Sequence, residues 1–192
     1  FKEAESYYLI DLRIIEQGEY SMNPILTAML YNDLALLYGR TQRIRESEEM
    51  LKASLEICNK FVGEVTEAHG LVLAESLESM ALLYGSTQRV RESEEVFSVS
   101  LDICKYLAKK NPQTYGPFLA KIYNDLALLY GKTQRLRESE EMFKASREIF
   151  RYLAEISPKE YEPELAVLFE NMAVLYGRTL RLKESEESFK SS

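Results

Sequence analysis

Tyr123-Asn124-Asp125-Leu126-Ala127-Leu128-Leu129-Tyr130-Gly131-Lys132-Thr133-Gln134-Arg135 opens a stretch, running on through Ile149, that the chain carries twice. Residues 31–57 reproduce 123–149 at 23 of 27 positions, differing only at 40, 44, 51 and 55. The triplet inside it recurs at Leu37-Tyr38-Gly39, Leu83-Tyr84-Gly85, Leu129-Tyr130-Gly131 and Leu175-Tyr176-Gly177, each 46 residues after the last. A near-copy of one basic-then-acidic sequence follows every triplet: Arg40 to Glu49, Ser86 to Glu95, Lys132 to Glu141 and Arg178 to Glu187. Alternate copies match better than neighbours, as duplication of a two-repeat unit would leave them. Repetition at a fixed period is the mark of an array whose units bury their apolar faces on one another.

Each unit reads as two helices. Ile25, Leu26, Met29, Leu30, Leu34, Leu37 and Tyr38 recur at steps of three and four, the helical spacing. Gly39 then either ends that helix or lets another backbone come close. A second run follows in Ile44, Met50, Leu51, Leu55, Cys58 and Val62. Glu46, Glu48 and Glu49 open it, acids that complement a helix N-terminus. Asn111-Pro112 and Ser157-Pro158 are expected to end second helices, and Pro117 and Pro163 to sit in the first turn of the next. No period-two run appears, so the class is all-α.

Composition narrows the function. The chain has 192 residues, 46% hydrophobic and 29% charged, which excludes a disordered chain. A net charge of -7 argues against a general nucleic-acid binder. No apolar stretch is long enough to span a bilayer, and the amphipathic start at Phe1-Lys2-Glu3-Ala4-Glu5 does not resemble a signal peptide. The expectation is an intracellular, cytoplasmic protein.

The repeats resemble the tetratricopeptide (TPR) family over the whole chain. The first helix carries Tyr31, Leu34, Ala35 and Tyr38; the second carries Ser47, Leu51 and Ser54. The second copy has Leu77, Met80, Ala81, Tyr84, Ser93, Phe97 and Ser100, and the third Tyr123, Leu126, Ala127, Tyr130, Ser139, Phe143 and Ser146. The fourth has Phe169, Met172, Ala173, Tyr176, Ser185 and Phe189. Asn124 to Tyr130 looks like the kinesin-light-chain style of repeat, and the long period resembles bacterial and archaeal variants. Ser stands where the family mostly has Ala, small enough to keep the helices close. The resemblance implies one array over 1–192, antiparallel helix pairs wound into a right-handed superhelical solenoid: a second helix at 1–19, then repeats at 24–66, 71–110, 117–156 and 163–192, the last truncated. The ends carry no capping helix, so the chain is expected to be part of a longer array or to pair its end faces with other copies.

Little in the sequence suggests catalysis. His69 is expected in a surface loop, and Cys58 and Cys104, one repeat apart, as reduced core residues. Acid pairs such as Glu48-Glu49 recur in every copy, whereas catalytic carboxylates occur at one place. We expect no enzyme, no cofactor and no metal site. Tyr38, Tyr84, Tyr130 and Tyr176 read as core aromatics whose hydroxyls reach a rim partner, in preference to an aromatic ligand cage. Basic residues cluster at the turns (Arg40, Arg43, Arg45 and their equivalents), yet three glutamates follow in each copy. The edge sums to about -1 and reads as a salt-bridged flank, not an RNA site.

By resemblance, partners bind the concave face made by the first helices. The positions are Met29, Asn32, Asp33, Leu36 and Arg40, then Glu75, Glu78, Ser79 and Leu82. The third set is Lys121, Asn124, Asp125, Leu128 and Lys132, and the fourth Glu170, Asn171, Val174 and Arg178. Leu36, Leu82, Leu128 and Val174 form an apolar line flanked by Asn and acids. Asn32 and Asn124 either pair with an extended peptide's backbone or satisfy neighbouring helices. Chaperone-binding members use a basic clamp for a terminal carboxylate, which Glu75, Glu78 and Glu170 would repel. The expected function is a protein-protein interaction scaffold holding a peptide or partner helix, with no nucleic-acid or membrane partner. The alternative is a module that self-assembles into homo-oligomers through its end repeats.

Overall fold

The computed structural model describes residues 2–16, 23–60 and 67–190, with side-chain detail as far as 177. Val62 and the side chain of Arg178 therefore lie outside the described residues. Among those described, every element is an α-helix: α1 (Lys2–Glu16), α2 (Pro24–Arg40), α3 (Ile44–Lys60), α4 (Glu67–Ser86), α5 (Val90–Lys110), α6 (Pro112–Lys132), α7 (Leu136–Ile156) and α8 (Pro158–Lys190). By packing, the chain forms two compact units, Phe1–Leu107 and Ala108–Ser192.

Each hairpin turns the same way. Gln42, Gln88 and Gln134 adopt left-handed φ of 63, 64 and 65°. The Arg43 amide donates to the Tyr38 carbonyl, Arg89 to Tyr84 and Arg135 to Tyr130, all at 2.9 Å. This six-to-one bond closes a helix around a left-handed residue, a role glycine usually fills. Glycine's role here is the other one considered. Gly131 lies within the last turn of α6, where an added Cβ would sit 3.3 Å from both Ser139 Oγ and Leu175 Cδ1. It permits close approach, and glutamine makes the turn.

In the first unit, three apolar clusters run from α1 to α4, centred on Leu12, Leu34 and Tyr38, on Ala35, Leu51, Met80 and Leu83, and on Ala28, Cys58 and Val72. In the second, Ala120, Ala127, Phe143, Phe150, Leu153, Leu168, Met172 and Leu175 form one core. Buried serines hold the pairs together. Ser47, Ser93 and Ser139 donate to the carbonyls of Ala35, Ala81 and Ala127 at 2.8, 2.6 and 2.6 Å. Two turns on, Ser54, Ser100 and Ser146 donate to Ala28, Ala74 and Ala120, each at 2.8 Å.

The prolines correct one expectation. α6 and α8 begin at Pro112 and Pro158, so Pro117 and Pro163 lie inside these helices rather than in their first turn. Asn111 caps α6, its Oδ1 accepting the Thr114 amide at 3.1 Å, and Pro112 takes the first helical position, where a missing N–H costs nothing. The carbonyls that Pro117 and Pro163 leave without a helical donor belong to Gln113 and Lys159, both exposed to water. A second difference is larger. α8 runs unbroken to Lys190, through the place where the other repeats turn. The residue at the left-handed position is Leu180 where the other three copies have Gln. A left-handed conformation costs an L-residue about 1–2 kcal/mol, and leucine is among the stronger helix formers.

Candidate functional site

The turn-end edge is built by arginine. Arg43 Nε donates to Glu46 at 2.7 Å, its second terminal nitrogen also binds Glu46, and its first reaches Glu5 on α1 at 2.6 Å. Arg89 repeats this, gripping Glu92 at 2.8 and 2.6 Å and Glu48 on α3 at 3.0 Å. Both guanidiniums lie over the tyrosine that precedes the turn, 4.0 Å from the Tyr38 centroid and 3.8 Å from Tyr84. Arg135 binds Glu138 in the same fork and lies 4.2 Å from the Tyr130 ring. The Tyr84 hydroxyl donates to Glu48 at 3.5 Å and that of Tyr176 to Glu140 at 3.3 Å, so tyrosine hydroxyls do reach rim carboxylates. The arginine forks hold Glu46, Glu92 and Glu138 below the usual carboxylate range, and Lys52, with Arg89 behind it, does the same for Glu48. This edge is a salt-bridged stitch between helices.

In the first unit, a hollow of about 430 Å³ opens between α2, α3 and α4. Buried Ala35, Ser47 and Leu51 lie at its base; Leu36, Arg40, Ser79 and Leu82 are on its walls. Leu36 and Leu82 are each 42% exposed, a high fraction for leucines facing a hollow. Nearby Met29 is also exposed, and partial desolvation raises the Asp33 carboxyl. The Asn32 Oδ1 is buried with no hydrogen-bond partner among the described residues.

In the second unit, a hollow of about 260 Å³ lies between α6, α7 and α8. Phe118, Phe150, Val167 and Leu168 supply apolar surface, Lys121 and Asn124 one wall, and Glu160, Tyr161 and Glu164 the other. Burial raises the Tyr161 phenol, as does its bond to Glu160. Asn124 is engaged within the fold: its Oδ1 accepts from Asn171 at 3.1 Å and its amide donates to Asp125 at 3.4 Å. For Asn124, satisfying the neighbouring helix is thus observed.

The structure brings Leu36, Arg40, Ser79 and Leu82 to one hollow and Lys121 and Asn124 to another. It does not keep Glu78 open: that residue is only 4% exposed. Glu75, Asp125 and Leu128 are half-buried, the last packed against the core of the second unit. Lys132, Glu170 and Val174 are exposed. His69 is corrected: it lies in the first turn of α4 and is half-buried, because α4 starts at Glu67. Cys58 and Cys104 are buried thiols, and burial pushes the Cys58 thiol up, away from reactivity. Phe118, Phe150, Glu160 and Tyr161 were not anticipated as lining. Their signal was the repeated Tyr-x-Pro at Tyr115 and Tyr161, which falls within the first two turns of α6 and α8.

Comparison with known proteins agrees with this architecture. The family model for the tetratricopeptide repeat matches residues 27–69 and 119–151. The crystal structure of BtubC (BKLC) from P. vanneervenii is similar with a TM-score of 0.64 at 18% identity, over 97% of this chain and 74% of that one. No curated protein matches. Tetratricopeptide repeats generally mediate protein-protein interaction and are generally non-catalytic scaffolds. Among the described residues, no helix is long and apolar enough to cross a membrane. Residues 27–69 and 119–151 thus match the tetratricopeptide repeat, and the chain as a whole is similar in fold to a solved protein.

Proposed function

We propose that the chain is a non-catalytic scaffold that holds a peptide segment or partner helix on its first-helix face, with the hollow of the first unit as the principal anchor. The observation that carries this is the exposure of Leu36 on α2 and Leu82 on α4, both lining that hollow. Exposed apolar surface costs about 25 cal/mol per Å², and a rimmed apolar depression on a rigid base is what an inserted side chain fills. Arg40, Gln42 and Ser79 stand beside it and offer hydrogen bonds to a backbone or an acidic group. The edge arginines do not favour nucleic acid, since Arg43 and Arg89 are already forked onto carboxylates. A cytoplasmic setting suits the two buried thiols.

The test is selection of binding peptides from a random display library, followed by affinity measurement on variants. Leu36→Glu and Leu82→Glu are expected to weaken the selected peptides by about tenfold or more with helicity unchanged. Val99→Glu, on α5, should leave binding intact. Equal affinity for all three variants would overturn the groove.

A further inference from the structure

Three arginines of this chain occupy the same kind of setting. Arg89 lies 3.8 Å over the Tyr84 ring and binds Glu48, the carboxylate that also accepts the Tyr84 hydroxyl. Arg43 and Arg135 likewise lie over a tyrosine and fork onto a glutamate. An aromatic face beside a carboxylate attracts a guanidinium by its quadrupole and its charge together.

The hollow between α6, α7 and α8 offers such a setting with no arginine in its lining. Tyr161 packs against the core of the second unit and also lines the hollow, and its phenol is bonded to Glu160. Glu164 lines it too, one helical turn on, and residues four apart on a helix share a face. Like charges so placed repel each other, and the Glu164 carboxylate has no ion pair among the described residues. Lys121, on the opposite wall, is already engaged within the chain. At the base lie Phe150 and Leu168, both buried, with half-buried Phe118 beside them.

We propose that this hollow takes an arginine side chain from a partner protein, its guanidinium over Tyr161 and forked onto Glu160 and Glu164, its methylenes against Phe150 and Leu168. Arginine suits the lining better than lysine: its planar fork matches carboxylates and stacks on a ring. Its stem buries on apolar surface while the charged head stays at the rim. A bare divalent cation is poorly served, since no group of three or more carboxylate, histidine or cysteine ligands gathers among the described residues. The inference rests on the first-helix face being a partner surface, but on a different hollow from the one that carries that reading.

The test is NMR titration of the isotopically labelled 192-residue chain with N-acetyl-arginine amide. Amide signals of residues 160–168 are expected to shift with a Kd of about 1 mM, an affinity open to a probe of about 15 heavy atoms. N-acetyl-lysine amide should bind at least about threefold more weakly, and N-acetyl-glutamate amide should shift nothing. Glu160→Gln/Glu164→Gln is expected to weaken the arginine probe by about tenfold or more, and Tyr161→Leu by about threefold. Glu155→Gln, at an exposed position of α7, should change nothing. The proposal is overturned if the arginine probe shifts no signal, if lysine binds as well, or if the double variant binds unchanged. Shifts scattered over the acidic helix starts, with none gathered at 160–168, overturn it too. Peptide selection with Leu36→Glu and Leu82→Glu decides the first hollow independently, so the two readings fail separately.

Discussion

The Ser139 hydroxyl on α7 donates to the Ala127 carbonyl on α6 at 2.6 Å, with both residues fully buried. A helical carbonyl already bonded along its own helix has a second lone pair, and a buried hydroxyl must find an acceptor. Alanine makes the meeting possible because it keeps no side chain between the two helices. The same pair recurs at Ser47–Ala35 and Ser93–Ala81. Serine at this position is thus a directional fastener as well as a small residue.

Ser139→Ala should lower unfolding free energy by about 0.5–1.5 kcal/mol, the net worth of one such bond. Ser139→Val should cost about 1–3 kcal/mol, because it also forces atoms into a filled contact. Urea denaturation of the two variants checks the order.

Gly131→Ala and Gly39→Ala separate close approach from helix propensity. At Gly131 the new methyl meets Ser139 and Leu175 at 3.3 Å; at Gly39 it meets Ser47 at an ordinary 3.6 Å. Alanine gains about 1 kcal/mol over glycine within a helix. Gly39→Ala is therefore expected to be neutral or stabilising by up to about 1 kcal/mol, and Gly131→Ala to be destabilising. Thermal melts of both variants decide it.

Gln88→Gly should stabilise by up to about 1 kcal/mol, since glycine adopts the observed φ of 64° without the L-residue penalty. Gln88→Val should destabilise. If the two behave alike, the left-handed turn is not where the structure puts it.

Acid should loosen the edge. Glu46, Glu92 and Glu138 titrate below the ordinary 4.5 because arginine forks favour their charged form. A depressed carboxylate stabilises the fold above its unfolded value and loses that contribution as pH falls through its folded value. The melting temperature should be flat from neutrality to about pH 5 and fall below it. The decline should be shallower in Glu46→Gln/Glu92→Gln/Glu138→Gln and weaker at high salt.

Much of this fold was legible because repetition exposes its own punctuation. Leu34, Ala35, Leu51 and Tyr38 are buried as their spacing implied. Tyr84 and Tyr176 put hydroxyls on glutamates of the preceding second helix, but of the four tyrosines expected in the core only Tyr38 is buried, Tyr84 and Tyr130 being half-buried and Tyr176 exposed. Gln134 escaped notice because propensity points to the neighbouring glycine for a left-handed turn. Leu180 escaped for the converse reason: one substitution in a near-copy removes a turn, and similarity scoring hides it. Glu78 shares its register with Asn32, but register alone does not say that it is buried.

Site-specific photocrosslinking tests the central claim most directly. A photoreactive phenylalanine analogue is placed singly at Leu82, on the wall of the hollow, and at Val99, on exposed α5, and irradiated with a display-selected peptide. The account predicts covalent peptide adducts from position 82 and essentially none from 99. Adducts from 99 with none from 82 would contradict it.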